Sequence, residues 1–309
     1  MTDFDNKLVS VVIPSFNRAR VLEQAIDSAL KQTYPHIEIV VVDDGSTDDT
    51  LERLERLQEP RLKVLSTPRN LGPARARNLG IEHCAGAYIA FLDSDDTWTP
   101  WKIETQIACF KRGEPELGAV YCGRRVRLTD GSTLDVRPGC RGDIFATLRR
   151  RNTIPLPTLM VRREVLEKVG TFDPELPACE DWDLVLRIAQ RYTFDFIEGL
   201  AVAYDGAGSD RMSARARSVF IANHVIFRRF NGRGPRPDIL AAYLALQSRE
   251  LLHLRRPRRA ARYALRSLLL EFDDEERLAL RTLRQLLARW SLGRFLVQAF
   301  GWRGALTWR

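Results

Sequence analysis

Four short apolar runs, LVSVVI (8–13), IEIVVV (37–42), RLKVLST (61–67) and AYIAFL (87–92), are spaced along the first third of the chain with a helix-period segment between each pair. Runs of this length, rich in β-branched residues and closed by Pro14, by DDGSTDD or by DSDD, read as buried strands. Between them, Val21, Leu22, Ala25, Ile26, Ala29 and Leu30 recur at helical spacing over 19–32. Residues 48–57, with Asp48 or Thr47 as cap, and 72–85 also read as helices. This βαβαβαβ order predicts an α/β fold with a mainly parallel twisted sheet covered by helices. Ligands of such sheets gather at the carboxyl ends of the strands. Acidic clusters follow two of those ends, after residue 42 and after residue 92, so topology alone favours one shared site.

The remainder divides in two. From 118 to 205 the pattern is mixed, with a strand in GAVYCGRRVRL and helices in RREVLEKVG and EDWDLVLRIAQR. After about 215 it is almost wholly helical, at 239–254, 258–271 and 276–290; in the last, Leu280, Leu283, Leu287 and Trp290 form one stripe beside Arg277, Arg281 and Arg284. Charge divides at the same place. Residues 1–210 carry 27 Lys/Arg against 33 Asp/Glu, whereas residues 211–309 carry 21 arginines, no lysine and 7 acids, within an overall formal charge of +8. The expected domains are therefore 1–215, with the α/β pattern, and 216–309, an Arg-rich helical region. Cys84, Cys109, Cys122, Cys140 and Cys179 include no CxxC pair and are odd in number, which argues against a disulfide framework or a structural zinc site and fits a reducing compartment. MTDFDNKLVS lacks an apolar signal core, and no run approaches the roughly 18–20 apolar residues that span a bilayer. A cytoplasmic protein is expected, attached at most to the inner face of the cell membrane. No internal repeat or low-complexity segment is visible.

Five segments carry possible chemistry. In FLDSDD (91–96), Asp93 and Asp95 present oxygen ligands in the small space that suits Mg²⁺ or Mn²⁺. Mg²⁺ leaves its other positions to water and phosphate, so the pair predicts a diphosphate as much as a metal; solvated turn residues are the plainer alternative. In VVVDDGSTDDT (40–50), Gly45 permits a tight turn, and Asp43 or Asp44 can accept hydrogen bonds from a nucleobase imide or a ribose. In IPSFNRA (13–19), the Phe16 ring could stack on a base and Arg18 meet a phosphate. In NLGPARARNLG (70–80), Arg75 and Arg77 crowd the positive end of a helix dipole, which an anion or a neighbouring acidic loop would offset. In CEDWDLVLRIA (179–189), Glu180 and Asp181 stand at a helix start, where they read as ordinary caps or as a general base beside the apolar face of Trp182, Val185, Leu186 and Ala189.

Taken in order, VSVVIPSFNRARVLEQAIDSALKQTY, IVVVDDGSTDDT, NLGPARARNLGI, GAYIAFLDSDD and CEDWDLVLRIA resemble the inverting family-2 glycosyltransferases of the GT-A fold, over roughly residues 8–205. The resemblance implies a GT-A catalytic domain with a C-terminal helical extension, and a nucleotide-sugar donor, commonly a UDP-sugar. It implies Mn²⁺ or Mg²⁺ between a D-x-D and the diphosphate, and a carboxylate that deprotonates the acceptor hydroxyl. Carried over by position, Pro14, Phe16, Arg18 and Asp44 line the nucleoside pocket and Arg77 lies near it or near the diphosphate. Asp93 and Asp95 hold the metal, Asp95 more directly. Asp181 is the base, with Glu180 its substitute. On this reading the positive partner that the crowded carboxylates of FLDSDD need is the metal ion. One departure is that YDGAGSDRMSA (204–214) lacks the histidine many relatives carry there, leaving Arg211 or Ser209 as substitutes.

The acceptor implied is a saccharide or a lipid-linked molecule, in cell-surface polysaccharide or glycolipid synthesis. The basic and aromatic stretch RWSLGRFLVQAFGWRGALTWR (289–309) suits an anionic membrane surface, or else packs on the catalytic domain with solvated arginines. No nucleic-acid-binding module is visible, so no nucleic-acid partner is expected. Two rivals stand beside this reading: a non-catalytic nucleotide-binding scaffold of the same fold, and a nucleotidyltransferase, whose glycine-rich phosphate loop PSFNRAR does not supply. His36, His83, His224 and His253 fall outside every cluster.

Overall fold

The computed structural model describes residues 7–205, 216–231 and 236–268. The stretch 206–215, the helix expected over 276–290 and the basic stretch 289–309 lie outside the described residues. What is described divides into two compact units. The first comprises 7–148, 152–175 and 180–205; the second comprises 149–151, 176–179, 216–231 and 236–268.

The first unit is built on a nine-stranded sheet. Strands β1 (Val9–Ser15), β2 (Ile37–Asp43), β3 (Leu62–Ser66) and β4 (Tyr88–Phe91) fall on the four apolar runs and pair in parallel, in the order β3-β2-β1-β4. Val9, Val11, Val12, Ile13, Ile39, Val40, Val41 and Val42 are fully buried, as expected of parallel strands covered on both faces. The covering helices are α1 (Ala19–Leu30), α2 (Thr50–Arg56) and α3 (Pro73–Glu82). Gly80 lets α3 close on β1, since a Cβ there would lie 2.6 Å from Val12 Cγ1.

Beyond β4 the sheet changes character. It continues through β8 (Met160–Arg162), β6 (Leu117–Arg127), β9 (Thr193–Asp205) and β5 (Asp96–Trp98), with β7 (Thr133–Val136) branching from β6. Here β4 with β8, β8 with β6, β6 with β7 and β9 with β5 are antiparallel, while β6 with β9 is parallel across register shifts near Gly123. The mixed sequence pattern over 118–205 thus corresponds to a mixed half-sheet. Helices α4 (Lys102–Arg112), α5 (Phe145–Arg150), α6 (Arg163–Val169) and α7 (Glu180–Ala189) complete this part of the chain.

The second unit contains α8 (Ala216–Asn231), α9 (Pro237–His253) and α10 (Pro257–Leu268). Leu251, Leu252, Ala260 and Ala261 form the small core of α9 and α10, with Phe220 and Tyr263 packed on it. Asp238, in the first turn of α9, is held by Arg150 at 2.9 Å and by Arg236 at 3.1 Å. No helix among the described residues is long and apolar enough to cross a membrane.

Candidate active site

The carboxyl ends of β1, β2 and β4 each run into a loop, and hydrogen bonds clasp the first two of these loops together. Asn17 adopts a left-handed conformation, φ 52°, in the β1–α1 turn. Its backbone N–H donates to Ser46 Oγ at 2.8 Å, and its side-chain oxygen accepts from the Thr47 N–H at 2.8 Å. Asp48 accepts from the Thr50 N–H at 3.1 Å and lies 3.4 Å from the Ala19 N–H, but the N-cap position of α2 is Asp49 rather than the expected Asp48 or Thr47, and it makes no side-chain cap hydrogen bond. Gly45 turns the chain after β2 with φ +72°, and a Cβ there would come within 2.5 Å of the backbone of Arg69. Phe16 projects from this clasp, 39% exposed, next to partly buried Pro14 and Arg18. The Arg18 guanidinium has no protein partner among the described residues, so it remains available to an anion.

The two aspartates after β2 do different things. Asp44 was expected to face the nucleoside, but its carboxylate is committed to the protein's own backbone. Oδ1 accepts from the Leu71 N–H at 2.9 Å and lies 3.0 Å from the Thr67 hydroxyl, while Oδ2 accepts from the Gly72 N–H at 2.8 Å. This holds a negative charge at the N-terminus of α3, where the helix dipole favours it. Asp43, 2% exposed, accepts from the Ser46 N–H at 3.2 Å through Oδ2, but its buried Oδ1 has no hydrogen-bond partner. The buried Ser15 hydroxyl opposite it in the β1–β2 register is also unpartnered. Buried polar atoms are rarely left so. Of the two aspartates, Asp43 is thus the one with an unused acceptor, and Ser15, in sequence one more β1 position, carries an unused hydroxyl.

Arg77, expected near the nucleoside pocket or the diphosphate, has a buried guanidinium, 7% exposed, that forks between two carboxylates. Nη2 donates to Asp93 Oδ1 at 2.8 Å and Nη1 to Glu180 Oε1 at 2.8 Å, with the Phe172 ring 5.5 Å away. Burial works against its charge, but Asp93 and Glu180 outweigh that and raise its pKa. The positive partner of FLDSDD within the protein is thus Arg77, and a metal is not needed to explain Asp93. Arg75 is likewise paired, with Glu175 at 2.9 Å. The neighbouring acids therefore account for the cations that crowd the start of α3.

The same bridge joins the turn after β4 to the start of α7. Asn78 exchanges two hydrogen bonds with the Phe172 backbone, at 2.8 and 2.9 Å, and so ties α3 to the segment leading toward α7. Arg187 binds the carbonyls of Val169, Gly170 and Thr171 and pairs with Asp183 at 2.8 Å, stapling α7 to that segment. Trp182 is buried, and its indole N–H donates to the Leu148 carbonyl at 2.7 Å. With Glu180 engaged by Arg77, Asp181 is the remaining carboxylate at the helix start. Burial and the Glu180 charge push its pKa up to about 6, against the pull of the Trp182 N–H and of Arg77. Asn152 Nδ2 donates to Asp181 Oδ2 at 2.9 Å, and the Asn152 side-chain oxygen accepts from the Ile154 N–H at 3.0 Å. Nothing in RRRNTIP marked Asn152 as other than a loop residue.

Asp93 and Asp95 are both partly exposed on the turn between β4 and β5, while Ser94 and Asp96 are buried. No group of three or more His, Cys, Asp or Glu side chains that could hold a metal ion occurs among the described residues. A two-carboxylate turn fits a Mg²⁺- or Mn²⁺-type ion that completes its shell with water and substrate phosphate, and does not fit a fully protein-ligated ion.

Against known proteins, the family profile described as Glycosyl transferase family 2 matches residues 10–170. Among sequence relatives, an uncharacterized glycosyltransferase of Haemophilus influenzae is 34% identical over 169 residues, covering 52% of this chain and 64% of its own. TuaG of Bacillus subtilis, whose name assigns it to teichuronic acid biosynthesis, is 40% identical over 131 residues, 41% of this chain and 51% of that one. WfgD of Escherichia coli, named as a UDP-Glc:α-D-GlcNAc-diphosphoundecaprenol β-1,3-glucosyltransferase, is 41% identical over 104 residues, 34% of this chain and 41% of that one. The chain thus spans about two fifths to two thirds of the length of these relatives. Among solved structures, residues 1–349 of TarS from S. aureus superpose with a TM-score of 0.60 at 18% identity, covering 93% of this chain and 92% of that one; related TarS crystals contain UDP-GlcNAc or UDP. The mannosyltransferase PcManGT from Pyrobaculum calidifontis, crystallised with GDP-Man and Mn²⁺, gives 0.59 at 22% identity, covering 95% and 84%. These likenesses fix the fold as the GT-A glycosyltransferase type, and the family match, which spans half the chain, makes this protein a member of glycosyl transferase family 2.

Proposed function

We propose that the chain transfers a sugar from a nucleotide-sugar, a UDP-sugar by preference, to an acceptor hydroxyl, with inversion at the anomeric carbon. The observation that carries this reading is the Arg77 bridge, which links a two-carboxylate turn to a helix start bearing a carboxylate with a pKa of about 6. A base titrating near the working pH is suited to take a proton from an attacking hydroxyl.

The nucleoside enters at the carboxyl ends of β1 and β2, between Phe16 and the Asp43 carboxylate. Asp43 Oδ1 is an acceptor only, so it favours a base that offers a ring N–H. Uracil and guanine do; the cytosine N3 lone pair faces it with repulsion. Arg18 meets phosphate. Asp95 and Asp93 would hold a divalent ion, whose chemistry there is to offset charge developing on the leaving diphosphate. The acceptor oxygen forms its bond to the anomeric carbon from the face opposite the diphosphate, whose bond breaks, and Asp181 receives the proton. Asn152 keeps Asp181 Oδ2 in place, and Glu180 is held out of reach of the acceptor by Arg77. The names of TuaG and WfgD support an acceptor in cell-surface polysaccharide synthesis, including a lipid-linked saccharide. Attachment to the membrane surface through the C-terminal region belongs to the same proposal.

The test is thermal unfolding and calorimetric binding with UDP, GDP and CDP, each with Mn²⁺, Mg²⁺ or chelator, on wild type and Asp95→Asn. Ligand at about 100 times its Kd adds about 2.7 kcal/mol of stability. A metal-dependent shift with UDP that is absent with CDP and lost in Asp95→Asn is the expected result. Release of nucleoside diphosphate from a nucleotide-sugar then identifies the transferase. Pyrophosphate release from a nucleoside triphosphate and sugar phosphate would identify a nucleotidyltransferase instead, and binding without any turnover would leave a scaffold.

A further inference from the structure

The described residues of the second unit contain 14 arginines, no lysine and two acids, and both acids are already engaged. Asp238 is taken by Arg150 and Arg236, and Glu250 by Arg249 at 2.8 Å. The excess positive charge is not spread evenly. On α10, Ala260, Ala261, Ala264 and Ser267 are buried, and the opposite side of the helix shows Arg259, Arg262 and Arg266, all exposed. Exposed Arg255 and Arg256 extend the patch at the turn before it. None of these five arginines makes an ion pair among the described residues.

At about 100° per residue, Tyr263 and Leu265 fall on the two borders of this stripe. Both are partly buried, neither fully in the core nor fully in water. A line of guanidinium groups bordered by an aromatic and an aliphatic side chain matches the layering of an anionic bilayer surface, phosphate outermost and the apolar boundary just beneath. Arginine suits it because the planar fork binds phosphate bidentately and never loses its proton. Because the apolar side of α10 is already used against α9, the helix would lie on the surface rather than insert. We propose that the α10 face of Arg259, Arg262 and Arg266 docks on an anionic phospholipid bilayer. This places attachment within the C-terminal region but on a helix distinct from 289–309, and it does not rest on the catalytic reading.

The experiment is sedimentation of the full chain with vesicles, without donor or metal. Vesicles of phosphatidylcholine alone are compared with vesicles that also contain phosphatidylglycerol. Wild type should co-sediment only with the anionic vesicles and be released by high salt. The triple variant Arg259→Gln, Arg262→Gln, Arg266→Gln should partition about 100-fold less, as expected for removing three cations near an anionic surface. The corresponding triple Lys variant should retain most of the binding, and equal melting temperatures for all three proteins guard against unfolding. Asp181→Asn should bind vesicles as wild type does, which separates this inference from the assignment of the base. The proposal is overturned if wild type ignores anionic vesicles, or if the Gln variant binds them like wild type. It is equally overturned if a single-stranded RNA or a DNA duplex displaces the vesicles at physiological salt, which would make the face a nucleic-acid surface.

Discussion

Asp181 is held in surroundings that oppose its charge, and the consequences for rate and for stability have opposite signs. With its pKa at about 6, the folded protein keeps a proton that the unfolded chain has already released near the ordinary aspartate value of 3.8. Stability therefore falls as pH rises from about 4 to about 6, by on the order of 2–3 kcal/mol, and stays lowered above that window. Asp181→Asn should melt a few degrees higher than wild type at pH 8, with the gap closing toward pH 4. The same variant should lose about 10²–10⁴ in turnover while the Kd for UDP is unchanged; near-full turnover would remove Asp181 as the base. In wild type, kcat/KM should decline below pH about 6. Asn152→Ala removes a hydrogen bond that favours the charged carboxylate, so its acid limb should move to higher pH, with kcat lowered and the KM for donor kept. Of these residues, Asp181 was legible as one of two acids at a helix start. Asn152 was not, because its partner lies 29 positions away and a loop asparagine carries no periodic signal.

At the scale of the element, the bridging side chain of α3 is the most exposed to substitution. Arg77 joins α3 to the β4–β5 turn and to α7, across sequence separations of 16 and 103. Arg77→Leu leaves two partly or fully buried carboxylates with no cation and should cost about 3–5 kcal/mol, seen as a large drop in melting temperature. Lysine is a poor rescue, since one ammonium cannot fork to two carboxylates. Gly45→Ala tests the clasp of the β1 and β2 loops. It meets both a left-handed φ and the Arg69 backbone, and should weaken UDP binding together with stability. The strands and helices around these residues were readable because β-branched runs and 3.6-residue periods are local properties. The antiparallel half of the sheet was not. β5 and β8 have only three residues each, too few for an alternation to show, and pair with strands far away in sequence. The roles of Asp43 and Asp44 were inseparable in sequence for a related reason: adjacent identical residues differ only in what the fold brings to each.

For the molecule as a whole, the two units are not consecutive in the chain. Residues 149–151 and 176–179 cluster with the C-terminal helices, although the segments on either side of each belong to the α/β unit. The first of these stretches ends just before Asn152 and the second just before Glu180 and Asp181. Asp238, through its hold on Arg150, thus anchors a stretch two residues from the one that steadies the base. Asp238→Ala should lower kcat while leaving UDP affinity within experimental error of wild type, measured by steady-state kinetics and calorimetry on the same preparation. The boundary expected near 215 follows the change in composition, which has no means of registering two short returns of the chain.

That interleaving sets a rule for recombination. A chimaera that exchanges the C-terminal helices with those of a relative at a single crossover near residue 216 would retain 149–151 and 176–179 from the wrong parent, directly upstream of the residues proposed for proton transfer. A graft that carries these two stretches along with the helices keeps every clustered segment from one source. The helical region is therefore inherited as three pieces rather than one, and exchanging the C-terminus alone divides that unit between two parents.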